Sequence, residues 1–300
     1  MVFCAIPTGT VKAASLCVNP DGSDGCYSSI QSAISAATAG DTVTVAAGKY
    51  VENVIVDKAI TLVGAGADVT TIVATNGGST PLSFSASSAI VDGFTLTHEY
   101  TPEELAAWNF NNNGVLFMQS GGNNTLQNCI VSLSRNGVYL NNTQGNSLKN
   151  NTITDNRTGI NTTNNVNGLQ LIGNTISANW TLGLVYYQSG YTTNFSTWNV
   201  SGNTFDANWY SEILVKNAGA STGVLDLSAN TFTDSPVTYT NSADASLNEP
   251  SYDSQKPASL GGTATKPAVD LPTLRIYNST SASLGYPAKT LEVGSGKSYA

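Results

Sequence analysis

A repeated triplet constrains this chain more than any other feature. Asn128-Cys129-Ile130, Asn151-Thr152-Ile153, Asn174-Thr175-Ile176, Asn203-Thr204-Phe205 and Asn230-Thr231-Phe232 align, with steps of 23, 23, 29 and 27 residues between their asparagines. The middle position is always Cys or Thr, and the third is always Ile or Phe. A period near 23 residues fits one coil of a β-solenoid, each coil lying about 4.8 Å above the last. The third column then stacks as a core ladder. The asparagines Asn128 to Asn230 form a ladder in a bend, because an amide both donates and accepts. In Gly137-Val138-Tyr139-Leu140, Gly159-Ile160 and Gly183-Leu184-Val185-Tyr186, glycine reads as opening a turn before another strand. A leucine-rich repeat is the rival solenoid, but its Leu-x-x-Leu-x-Leu pattern is missing.

Composition agrees. Only 11% of residues are charged, against about 25% in ordinary soluble domains, and asparagine alone occurs 32 times. Val, Ile, Thr and Tyr are plentiful, which favours strands over disorder. Upstream, Thr42-Val43-Thr44-Val45, Ala59-Ile60-Thr61-Leu62-Val63 and Ala89-Ile90-Val91-Asp92-Gly93-Phe94 read as further strands. Before them Ile30, Ala33, Ile34 and Ala37 fall at helical spacing after Ser28 and Ser29, both good N-caps. A short helix there would cover the open end of the solenoid.

Cys26-Tyr27-Ser28-Ser29-Ile30-Gln31-Ser32-Ala33-Ile34, Gly40-Asp41-Thr42-Val43, Gly48-Lys49-Tyr50-Val51-Glu52-Asn53-Val54 and Ile60-Thr61-Leu62-Val63-Gly64 resemble the opening of pectate-lyase-like right-handed β-helix proteins. The resemblance covers roughly residues 26 to 240. It implies an all-β chain, a right-handed parallel β-helix with a short N-terminal capping helix. It implies no single activity, because the superfamily holds pectate lyases, polygalacturonases, epimerases, phage tailspikes and non-catalytic surface proteins.

Four segments follow. Residues 1–14 read as the tail of a clipped signal peptide, 15–240 as the β-helix, 241–272 as a linker rich in Pro, Ser and Gly, and 273–300 as the start of a further β-helix unit of the same parent chain. The alternative for the last segment is a lone strand that packs back on the first domain. Cys17 and Cys26 flank a Gly/Asp/Pro turn and read as a small disulfide, with two reduced thiols as the alternative. Such a bond persists in an oxidising compartment, which places the chain outside the cell or on its surface. A calcium site in that loop is a minor reading, and no cofactor is expected. A net charge of −8 without a Lys/Arg run disfavours nucleic acid. No segment has the length to span a bilayer.

The expected partner is a polysaccharide or cell-surface glycan. Asn156, Asn179 and Asn208 sit five residues after a ladder asparagine, and Arg157, Trp180 and Trp209 sit six after. In register these make a stripe, with indole faces for sugar rings and amides and a guanidinium for hydroxyls. The alternative is that the tryptophans are packed inward or under a loop. For catalysis the candidates are Asp155, Arg157 and Asp206, but no carboxylates repeat on adjacent coils. His98, the only histidine, reads as a solvated turn residue. Thr101-Pro102-Glu103-Glu104 opens an inserted helix with a capping box, packed down by Trp108 and Phe110. Nine Asn-x-Ser/Thr sequons, among them Asn156 and Asn179, follow from the composition. The preferred function is a structural, adhesive or glycan-binding module without catalysis. The alternative is a polysaccharide lyase or glycoside hydrolase.

Overall fold

A computed structural model describes residues 13–101, 103–104, 111–119, 121–187, 193–208, 211–216 and 223–232, with the backbone of strands Val237–Thr240, Thr273–Tyr277, Ala282–Gly285 and Thr290–Glu292. Each coil contributes one short strand to each of three sheets. Ser147–Lys149, Thr152–Thr154 and Thr158–Thr163 form one such coil. Among the described residues the sheets hold eight, eight and ten strands. Coil stacks on coil in parallel register throughout the body of the molecule, as in Leu126↔Leu148, Leu148↔Leu171 and Leu171↔Val200. This is a right-handed parallel β-helix.

Alternate residues of each strand point inward. The core is therefore a set of columns: Leu126, Leu148, Leu171 and Val200 in the first sheet, Val138, Ile160, Leu184 and Ile213 in the third, all buried. Phe84 stacks on Phe117 with ring centroids 4.6 Å apart, and Phe205 on Phe232 at 5.1 Å.

The second-sheet column departs from the sequence alignment at one place. Ile130 pairs with Thr152 and Val131 with Ile153, so Val131, not Ile130, heads the ladder Ile153, Ile176 and Phe205. The step into this coil is 22 residues, from Cys129 to Asn151. Cys129 thus occupies the asparagine position, and Asn128 is the exposed left-handed residue before it, with φ 53°.

Corners are built from amides. In the bend between the first and second sheets, Asn151 Nδ2 donates to Asn174 Oδ1 at 3.0 Å, Asn174 to Asn203 at 2.9 Å and Asn203 to Asn230 at 2.8 Å. Each Oδ1 also accepts the backbone N–H of the residue one coil before, from Cys129 N onward. Each Nδ2 satisfies a carbonyl that the turn would otherwise strand, such as Leu126 O or Leu148 O.

Gly137, Gly159 and Gly183 lie within strands of the third sheet rather than in turns. A Cβ on Gly159 would stand 2.6 Å from Gly183 O and 2.8 Å from Asn179 Nδ2. Close approach of the neighbouring coil, not conformational freedom, requires glycine there.

The helix Ile30–Ala36 closes the N-terminal end with Ile30, Ala33 and Ile34 buried against the core. Ser29 is its N-cap, accepting from Ser32 N at 3.3 Å. The disulfide Cys17–Cys26 is formed. At the other end, Thr273–Tyr277 pairs parallel with Val237–Thr240, Ala282–Gly285 pairs antiparallel with Thr273–Tyr277, and Thr290–Glu292 pairs antiparallel with Val224–Asp226. Thr273–Tyr277 and Ala282–Gly285 extend the third sheet, and Thr290–Glu292 forms a separate two-stranded sheet with Val224–Asp226; residues 1–12 and 241–272 lie outside the described residues. Among the described residues no helix is long and apolar enough to cross a membrane.

Candidate functional site

The described members of the stripe expected from the sequence are in register but buried, closed to a glycan. Asn156, Asn179 and Asn208 form a second buried ladder at the corner between the second and third sheets, each at most 1% exposed. Asn156 Nδ2 donates to Asn179 Oδ1 at 3.2 Å and Asn179 Nδ2 to Asn208 Oδ1 at 2.8 Å. Their amides also bond Val131 O, Ile153 O and Ile176 O. They hold the corner and are closed to ligand, and the sequons at Asn156 and Asn179 are buried with them. Glu212 adjoins this ladder: its carboxylate accepts from Asn208 Nδ2, at the strand position that Gly183 holds one coil earlier. Arg157 and Trp180, 6% and 8% exposed, are buried as well. Trp209, like Trp108 and Phe110, lies outside the described residues.

The catalytic candidates do not assemble. Asp155 is exposed at a left-handed corner position with φ 54°. Asp206 shares a column with Ser177 and Thr154, one position off and two coils away from Asp155. Arg157 is buried on the same coil as Asp155. His98 is 1% exposed rather than solvated. Its Nε2 lies 2.7 Å from Ser79 O, its Nδ1 3.1 Å from Ser134 Oγ, and its ring stacks on Tyr100. A carbonyl can only accept, so in the neutral ring Nε2 carries the proton and Nδ1 faces the Ser134 hydroxyl, which also lies 3.2 Å from Ser132 O. Burial holds the His98 pKa below its ordinary value. The inserted helix does open with its capping box, Thr101 N donating to Glu104 Oε2 at 2.8 Å and Glu104 N to Thr101 Oγ1 at 3.2 Å. In the disulfide loop, Asp21 Oδ1 accepts from Ser23 N at 3.1 Å and the Asn19 amide donates to Ser23, so that turn is closed on itself.

The column that holds Arg157 continues one coil upstream to Arg135, and there it reaches the surface. Arg157 N donates to Ser134 O, which fixes that correspondence. Arg135 lines a groove of about 280 Å³ with Asn111, Asn113, Asn136, Tyr139 and Asn161, on the outer face of the third sheet. The amides there are tied in a row, Asn136 Nδ2 to Asn113 Oδ1 at 2.9 Å and Asn161 Nδ2 to Asn136 Oδ1 at 3.1 Å. Beneath them Asn112, 4% exposed, accepts from Arg135 N at 2.8 Å and donates to Tyr100 Oη at 2.6 Å. Arg135 Nη1 donates to Asn111 Oδ1 at 3.0 Å, which aims the guanidinium along the groove. No carboxylate lines this groove among the described residues. It offers a cation, hydrogen-bonding amides and an aromatic ring, but no acid–base pair.

Fold and corners together define a right-handed parallel β-helix protein of the solenoid class. The family described as "Periplasmic copper-binding protein (NosD)" matches residues 35–261, and the chain belongs to it. No curated protein matches. Among solved structures, one described as "Geobacillus virus E2 - ORF18" is 16% identical with a TM-score of 0.55, over 75% of this chain and 50% of that one. This chain thus spans half the length of the viral protein. Pectate lyase Pel9A is 13% identical with a TM-score of 0.50, over 77% of this chain and 75% of the enzyme. Both show the fold.

The family description names copper, and the imidazole and thiol donors among the described residues do not suit it. Copper takes thiolate, thioether and imidazole ligands. Both ring nitrogens of the single histidine are engaged. Cys17 and Cys26 are bonded to each other. The Cys129 thiol is buried and pushed up to about 12 by desolvation. Among the described residues no three of His, Cys, Asp and Glu come together.

Proposed function

We propose that this chain is a β-helix module working outside the cytoplasm, in the periplasm or beyond, that binds a polysaccharide at the Arg135 groove without cleaving it. The observation that carries this reading is the composition of that groove: a guanidinium held by Asn111, a row of three amides and Tyr139, on a rigid sheet. Planar amides and a forked cation suit vicinal hydroxyls and sugar carboxylates, and the tyrosine ring suits a pyranose face. The Cys17–Cys26 bond supports the location, because small-loop disulfides persist in oxidising compartments.

The test is a panel of neutral and acidic polysaccharides, with binding read by affinity electrophoresis and polymer mass by light scattering. The expected result is retardation on one polymer at unchanged polymer mass, weakened by Tyr139→Ala and by Arg135→Ala. A falling polymer mass would overturn the non-catalytic reading. Binding that ignores both substitutions would overturn the site.

A further inference from the structure

The largest open groove among those described lies at the third corner of the solenoid, between the third and first sheets, away from the Arg135 groove. Its volume is about 600 Å³, and Gln119, Asn123, Asn142, Gln144, Asn167 and Thr197 are among its walls. Among the described residues, no charged side chain lines it. Gly121, Gly122, Gly145 and Gly168 make its floor, so a ligand can approach the backbone closely.

As at the other corners, an inner pair of asparagines here, Asn124 and Asn146, is buried and consumed by neighbours, while Asn123 and Asn142 stand outward. Asn123 and Asn142 hold left-handed backbone, φ 56° and 51°, a conformation that asparagine tolerates without being favoured there as glycine is. The inner hydrogen bonds of the corner are met separately by Asn124, Asn146 and Thr143, as in Asn124 N to Asn146 Oδ1 at 3.0 Å and Asn146 Nδ2 to Thr143 Oγ1 at 2.8 Å. The side chains of Gln119, Asn123, Asn142 and Gln144 thus hold up no part of the corner, and their donors and acceptors face the groove. They are carried on successive coils, about 4.8 Å apart, a spacing close to the length of one pyranose residue in an extended chain.

From this geometry we infer a second binding site, for an uncharged polyhydroxylated ligand: a short stretch of neutral glycan lying along the helix axis. The absence of charge excludes strong attraction of sugar acids, and paired amide donors and acceptors match hydroxyls that both give and take hydrogen bonds. The site is independent of the Arg135 groove in residues and in ligand charge.

The experiment is calorimetric titration of the full chain with cellopentaose, xylopentaose and mannopentaose. The variants are Asn123→Gly/Asn142→Gly, which keep the left-handed backbone and remove two amides, and Gln144→Ala. Tyr139→Ala serves as the control for the other groove. Binding of one pentasaccharide by the wild type, weakened about tenfold or more by the corner variants and by less in Tyr139→Ala, is the expected result. Weakening in Tyr139→Ala alone would overturn the corner site and leave the Arg135 groove as the single glycan site. No binding of any pentasaccharide would also overturn the corner site, whatever acidic polymers do at Arg135. Folding of each variant is checked by its thermal transition, and a variant that melts early is replaced by Gln144→Glu. That change places a charge at the groove wall and is expected to abolish neutral-sugar binding; unchanged binding would overturn the site.

Discussion

The Lys58 ammonium donates to the Ile34 carbonyl at 2.9 Å, and so ties the last turn of the capping helix to the next coil. It also reaches Ser35 O at 2.7 Å and Ala37 O at 2.8 Å. At the other end of the same helix, Glu52 accepts from Ile30 N at 2.9 Å, Gln31 N at 3.0 Å and Ser29 Oγ at 3.0 Å. A helix of seven residues has almost every backbone group at a terminus. The anion lies at the positive end of its dipole and the cation at the negative end. Glu52→Gln and Lys58→Met are each expected to lower stability by about 1–2 kcal/mol, read from urea unfolding. Both losses should shrink in high salt. A Lys58→Met protein as stable as wild type would show that core packing alone seats the helix.

The disulfide should matter on a similar scale. It closes a loop with a sequence separation of 9 residues, for which chain entropy gives roughly 2.5–3 kcal/mol. Reduction is therefore expected to lower the unfolding midpoint while the β-helix remains folded. Equal midpoints with and without reductant would place the loop outside the cooperative unit.

Much of this was legible in sequence, for a reason specific to solenoids. A coil sees only its neighbours, so the periodic columns Ile153, Ile176, Phe205 and Phe232 report the core directly. The helix, the disulfide and the Thr101–Glu104 box are local signals and read equally well. Asn156, Asn179 and Asn208 misled because an amide at a polar period looks like surface; whether it is buried depends on the next coil, which a single coil's sequence does not state. The one-residue slip at Asn128 arose because Asn128 itself fits the triplet, while the thiol that truly takes the amide position does not look like one. That slip also hid Arg135. With the 22-residue step in place, Arg135 falls in the column of Arg157, one coil upstream.

Acid should loosen the His98 corner before it touches anything else described here. Burial lowers the His98 pKa below its ordinary 6.5. Between the folded and unfolded values the unfolded chain binds more protons, so stability falls as pH falls. The contribution is complete above about 6.5, declines as pH drops below it, and levels off under the folded value. Asp41 behaves in its own, lower window. Its carboxylate accepts from Thr38 N and Ala14 N, both at 2.7 Å, which lowers its pKa from 3.8, so its contribution is lost only as pH falls below that. Unfolding measured from pH 7.5 to 5 should slope for wild type and flatten for His98→Gln. An equal slope in both would assign the effect elsewhere.

Removing one rung tests whether the second ladder holds the corner. Asn179→Ala takes away the acceptor for Asn156 N and Asn156 Nδ2, at 3.1 and 3.2 Å, and the donor to Ile153 O at 3.0 Å. These partners are buried and water cannot replace the amide without a cavity. A loss of about 3–5 kcal/mol is expected in chemical unfolding, several times that of an exposed amide such as Asn128→Ala. A loss under about 1 kcal/mol would mean that the coils hold together without it.

Cys129 marks the place where the first ladder could be lengthened. Its Sγ takes the position of an Oδ1, accepting from Phe94 N at a long 3.5 Å, and its thiol donates to Gln127 O at 3.1 Å. Cys129 N already donates to Asn151 Oδ1 at 3.0 Å, the bond every other rung makes to the next. Cys129→Asn would give Phe94 N an oxygen acceptor and offer Asn151 Oδ1 a second donor, as Asn151 does for Asn174. A side chain of similar size in a prepared slot should be neutral or stabilising by about 1 kcal/mol, whereas a polar residue in an apolar core position costs several times that. The thermal transition of the variant separates the two. A lower transition would show that the slot above Asn151 is shaped for sulfur. In the wild type the same burial, which pushes the thiol up to about 12, should keep Cys129 unreactive toward thiol reagents at pH 8 until the chain unfolds.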